Sequence, residues 1–152
     1  MYPVRLGYDG AVKRINRLLL NKHDAEALVT SVFTMEKTFR RTLMHLIVHA
    51  GNGSKDAKEL LDKFRGLSNI KVLWPFFDPQ HDRLQAIIGN THWPVFVNAT
   101  QMRNELVHGI KVYNLLDCQK ATKQVLKALD ATRTTFNQRY GFDGWGKIIS
   151  SK

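Results

Sequence analysis

Residues 25–50 read AEALVTSVFTMEKTFRRTLMHLIVHA, and this stretch decides the fold. Leu28, Val32, Met35, Phe39, Leu43 and Leu46 recur at spacings of four and three, which lines them along one side of an α-helix. Gly51 follows as a stop, because a glycine just past the last turn adopts the left-handed conformation that ends a helix without steric cost. Asn21 or Asp24 stands ahead of it as a candidate N-cap.

The same grammar extends in both directions. "DGAVKRINRLLL" predicts a first short helix with Val12, Ile15, Leu18 and Leu19 inward. "SKDAKELLDKFRG" predicts another, with Leu60, Leu61 and Phe64 inward, Ser54 as cap and Gly66 as stop. Pro75 interrupts "NIKVLWPFFD", which therefore reads as an apolar connection lying on the core. Asp78-Pro79 has the form of an N-cap followed by an N1 proline, opening a brief helix through Leu84 and Ile87 to Gly89. Thr91 or His92, with Pro94, starts a further helix. The last begins near Asp117, keeps Ala121, Val125, Ala128, Thr132 and Phe136 on one side, and stops at Gly141. The expectation is an all-α, up-and-down bundle of five or six helices in a single domain over residues 1–152.

Composition narrows the function classes. Hydrophobic residues make up 43% and prolines number only 4, which argues against disordered and collagen-like chains. Cys118 is the single cysteine, so neither an intrachain disulfide nor a cysteine-based zinc site can form, as suits a reducing cytosol. "MYPVRLGYDG" has no leader pattern and no run approaches the ~18 apolar residues of a membrane span, so a cytoplasmic protein without a membrane partner is expected. The formal charge of +10 favours a polyanion, with nucleic acid the leading partner. The positive residues are not gathered on one amphipathic helix, which disfavours a membrane surface.

The chemistry-bearing stretch is "MRNELVHG", residues 102–109. On the helix that carries it, Val95, Ala99, Met102, Leu106 and Ile110 make the core side. Val97, Gln101, Asn104, His108 and Lys111 make a second, polar stripe. Arg103 falls between the two, where its stem packs and its guanidinium can turn toward His108. On spacing alone, such a face is an ordinary solvated surface.

"RNELVH" resembles the R-polar-x-x-x-H signature of the HEPN family, including the Asn after the Arg, and Gly109 continues a common variant. The all-helical chain of this length, with a long helix carrying "MEKTFRR" ahead of the motif, is similar to the HEPN layout. The resemblance implies a homodimer in which two copies of the motif face each other and form one metal-independent endoribonuclease site. Arg103 and His108 would be its catalytic pair, Asn104 would orient the pair or the phosphate, and Glu36 would hold Arg103. Lys111, Gln101 and Arg40 are the candidates for contact with RNA. Members of this family also act as toxins or defence proteins, which would add an antitoxin or other protein partner; others bind nucleotides or assist a partner without cleaving.

RNA carries its own nucleophile, the 2′-hydroxyl, so cleavage needs proton transfer and stabilisation of the phosphorane but no metal and no cofactor. An imidazole moves protons near neutral pH, and a guanidinium grips phosphate oxygens in bidentate fashion. Two His108 side chains in a symmetric dimer would supply a base and an acid on opposite sides of an in-line displacement. Other signals compete weakly. His45 and His49 in "HLIVH" have HExxH spacing, but Leu46 occupies the acidic place, leaving helix-surface or partly buried histidines. His23, His81 and His92 have loop contexts. Glu36 and Arg40 are spaced for a helix ion pair. Trp74, Phe76, Phe77, Trp93 and Phe96 lie beside prolines and read as core or interface plugs. No phosphate-cradling glycine loop is present. The alternative reading is a non-catalytic helical module that binds RNA, a nucleotide or a protein partner, or a regulatory subunit of a larger complex.

Overall fold

A computed structural model describes residues 7–146, which form seven α-helices and no strand. Residues 1–6, within the stretch read for a leader, lie outside the described residues. In chain order the helices are α1 (Tyr8–Leu20), α2 (Asp24–His49), α3 (Ser54–Lys63), α4 (Leu67–Phe77), α5 (Leu84–Ile88), α6 (Trp93–Val107) and α7 (Leu115–Tyr140). The chain is all-α. None of these helices is long and apolar enough to cross a membrane.

The count exceeds five or six because "NIKVLWPFFD" is helical and not a connection. Leu67, Ile70 and Trp74 are buried at spacings of three and four, giving α4 a core stripe. Pro75 is tolerated because it lies in the last turn, where a missing N–H forfeits one bond and only two helical residues follow. His81 donates from Nδ1 to the Pro75 carbonyl at 2.9 Å. Asp78 is likewise corrected: it closes α4 and does not open the next helix. Two smaller departures concern α3, whose N-cap is Gly53 with Ser54 already helical, and Phe64, which ends the helix and stays exposed.

The described chain divides into two compact units. The first takes residues up to Met35 together with Thr91–Thr132, and the second takes Glu36–Asn90 with the residues from Arg133 on. In the first, Ile15, Leu28, Val32, Phe96, Val125 and Leu129 are buried. In the second, an aromatic cluster dominates: Phe39 meets Trp74 and Phe136 edge-on, and Trp74 stacks on Phe136 at 5.3 Å. Such pairs add about 0.5–1.5 kcal/mol each beyond the area they bury.

A polar network closes the second unit. Asp78 is buried and its carboxylate accepts from Arg139 Nε at 3.0 Å and Nη2 at 2.9 Å, from the Tyr140 hydroxyl, and from the backbone N–H of Gln80 and Asp82, both at 3.0 Å. Burial alone would raise its pKa, but the bonds from Arg139, Tyr140 and Asp82 outweigh it and bring the carboxyl down to about 2.

The folded pKa is therefore depressed. Its stabilisation is fully present above the unfolded value near 4 and fades as pH falls from there toward 2, a loss of roughly 2–3 kcal/mol. Asp78→Asn should lower the unfolding free energy at pH 7 by about that amount and flatten the acid limb of the stability curve. Urea unfolding of both proteins between pH 2 and 7 checks this; parallel acid limbs would contradict it.

Candidate functional site

Helix α6 carries the motif. Phe96, Ala99 and Met102 are buried, Val95 and Leu106 are half-buried, and Val97, Gln101 and Asn104 are exposed, as the two stripes require. The helix then stops earlier than its spacing predicts. Val107 is the last helical residue, His108 closes the helix, and Gly109 takes φ +66°. The Gly109 N–H donates to the Leu106 carbonyl at 3.2 Å and the Ile110 N–H to Glu105 at 2.9 Å, the paired bonds of a Schellman stop.

This moves two residues from their expected places. Ile110, expected on the core side, is 75% exposed because it lies beyond the stop. Lys111 leaves the polar stripe for the same reason, and its Nζ sits 4.7 Å from the centre of the Tyr113 ring.

Arg103 is half-buried at the border of the core. Its Nε donates to Asn104 Oδ1 at 2.8 Å, while the guanidinium lies 5.4 Å from the centre of the Phe33 ring. The amide and the ring face thus fix the cation from two sides. His108 is exposed at the end of the same helix. Beside them, Arg14, Leu18, Val29, Phe33, Leu106 and Val107 line an apolar groove of about 510 Å³.

Gln101 is committed within the helix, since its amide donates to Glu105 Oε1 at 3.0 Å. The Tyr113 hydroxyl donates to the other carboxylate oxygen at 2.6 Å. Those two bonds hold the Glu105 carboxyl below the usual range, with Lys111 adding its charge, and the same bond pushes the Tyr113 phenol up. Glu105 and Tyr113 are residues of the candidate site that the sequence reading missed. The i, i+4 relation of Gln101 to Glu105 was the available signal for one of them.

Glu36 and Arg40 belong to the second unit. Arg40 directs its guanidinium to Asp62 at 2.6 Å and to the Leu61 carbonyl at 2.6 Å, tying α2 to α3. Among the described residues no three His, Cys, Asp or Glu side chains are grouped to hold a metal. Burial pushes the Cys118 thiol up, with Asp24, Asp117 and Glu26 adding to the shift, which keeps it in its unreactive form.

The second unit has a cavity of its own, about 600 Å³, lined by His45, His49, Asn137, Tyr140, Phe142 and Asp143 among others. His45 is only 4% exposed, and among the described residues its Nε2 has no hydrogen-bond partner. A buried polar atom left unpaired costs about 1–3 kcal/mol. Burial first, then the charges of Arg41 and His49, lower the His45 pKa against the pull of Asp143, so the ring is neutral at pH 7.

Fold and site together define an all-α chain with an Arg–Asn pair and a helix-ending histidine on α6. No protein-family model, no curated protein and no solved structure matches this chain.

The Schellman stop yields a direct test of what positions His108. Gly109→Ala places a Cβ at φ +66°, which should cost about 1 kcal/mol and lower the melting temperature by about 2–4 °C. Calorimetry of the variant checks it, and an unchanged melting temperature would mean that the turn relaxes freely.

Proposed function

We propose that the protein is a metal-independent endoribonuclease of the HEPN type, cytoplasmic, and a toxin or defence protein. The observation that carries this reading is the arrangement at the end of α6. There Arg103 is fixed by Asn104 and Phe33, and an exposed His108 follows at the helix stop, in the order of the HEPN signature. In this reading Arg103 grips the non-bridging oxygens of the scissile phosphate and stabilises the charge of the phosphorane. His108 takes the 2′-hydroxyl proton, and His108 of a second copy gives one to the leaving 5′-oxygen. The product carries a 2′,3′-cyclic phosphate, and DNA is inert because it lacks the hydroxyl.

The reading requires a dimer. Val107, Ile110, Val112, Leu115 and Leu116 are exposed apolar residues in the segment that includes His108, and they support an interface there. The same residues would favour the second reading, a non-catalytic module that docks on RNA or on an antitoxin-like protein, if no cleavage is found.

The test is cleavage of RNA in EDTA with excess protein under single-turnover conditions. His108→Ala should reduce the rate by at least ~10²-fold with RNA affinity nearly intact. Arg103→Ala should damage both rate and affinity, and Arg103→Lys should not restore the rate, since Lys lacks the planar fork. A His108→Ala protein that cuts at the wild-type rate would leave the binding module as the better reading.

Sedimentation separates the assembly from the chemistry. The protein should be a dimer at micromolar concentration, and Ile110→Asp with Leu116→Asp should yield monomers with little cleavage. A fully active monomer would overturn the shared site.

A further inference from the structure

We propose that the cavity of the second unit lined by His45, His49 and Phe142 is a binding site for a nucleobase, taken as an uncharged nucleoside. Its volume, about 600 Å³, lies in the range of small-molecule sites. Its walls are rings. Phe142 meets the His45 ring at a tilt, 4.8 Å between centres, and stacks with His49 at 5.1 Å and with Tyr140 at 5.8 Å. Planar aromatic ligands are held by such faces.

The charge state of the lining argues for a neutral ligand. Asp143 is already bonded by Arg133 at 2.8 Å, by Asn137 at 3.0 Å and by the Trp145 N–H at 3.1 Å. Arg41 spends its guanidinium on the carbonyls of Gly144 at 2.5 Å and Gly146 at 3.2 Å. Asp143 is thus paired with Arg133, and Arg41 spends its hydrogen bonds on carbonyls and does not line the cavity, so neither group anchors a phosphate or a cation there. A neutral imidazole with an unpartnered Nε2 calls instead for a hydrogen-bonding edge, which every nucleobase has.

Phe142 lies against the His45 ring. It is half-buried and follows Gly141, whose φ of +80° marks the end of α7, and in this proposal its ring turns aside as the base edge reaches His45. This site shares no residue with α6, and nucleoside binding and RNA cleavage are separate readouts.

The experiment titrates adenosine and uridine into the full chain, following the imidazole NMR signals and the heat of binding. Saturable binding that moves the His45 and His49 signals and leaves His108 unmoved is expected. His45→Phe should weaken it by at least about tenfold, and His45→Gln, which keeps a hydrogen-bonding edge, should stay within about threefold. If His45→Phe does not fold, His45→Leu takes its place, with the same loss expected. The proposal fails if neither nucleoside saturates by roughly millimolar concentration, the weak end of specific affinity. It fails equally if inorganic phosphate or Zn²⁺ alone moves the same signals at lower concentration, if the nucleoside moves His108 instead, or if the apolar substitutions leave affinity unchanged.

Discussion

A carboxylate shielded from water stays ionised only if donors replace the water, and Asp78 imposes that constraint on the second unit. Its donors come from the turn after α4 and from the last turn of α7. Tyr140 also accepts from the Trp74 indole at 3.1 Å, which joins the polar network to the aromatic core. The end of α7 is thereby pinned, and residues 141–146 depart from a fixed point. Trp145 donates to Thr38 at 2.9 Å, and Gly144 runs so close to α2 that an added Cβ would lie 2.7 Å from the Thr42 nitrogen. Only glycine fits there. The wall of the His45 cavity is thus a consequence of where a buried charge finds its partners.

What was legible in the sequence is what local periodicity and local stops encode. The stripe of α2 from Leu28 to Leu46 is buried throughout, and Gly51 and Gly141 end their helices at φ +104° and +80°. The helix α4 was obscured because it is apolar on nearly every side. Val72 and Phe76 are 61% and 72% exposed, so the spacing of Leu67, Ile70 and Trp74 did not stand out from its neighbours. Asp78-Pro79 is ambiguous in a deeper way. An Asp before Pro serves equally as a helix cap or as the pivot of a turn, and the deciding partner, Arg139, lies 61 residues away.

The motif shows the same division on a smaller scale. The positions of Arg103 and Asn104 follow from helical phase, but their mutual bond does not, since adjacent residues on a helix point apart. It forms because a long guanidinium stem curls back onto its neighbour. Glu105 likewise has a role that its sequence neighbours only partly announce. Its two bonds, to Gln101 and Tyr113, connect the last turn of α6 to the residues after the stop, and a tyrosine eight positions on gives no periodic signal.

The stop at Gly109 matters most for what His108 can meet. Had α6 continued with its expected period, His108 and Lys111 would lie on the flank of a helix and Ile110 would be buried. The left-handed glycine instead turns the chain out at that point. His108 lies at an exposed corner within a segment where Val107, Ile110, Val112, Leu115 and Leu116 are each more than half exposed. Water does not favour so many apolar side chains in so short a stretch, which suits the segment to a partner surface. A histidine placed at such a corner meets whatever covers it. Under the endoribonuclease reading that cover would be a second copy of the same corner, and the residues that drive association would share one short segment, from the end of α6 to the start of α7, with the residue that moves protons.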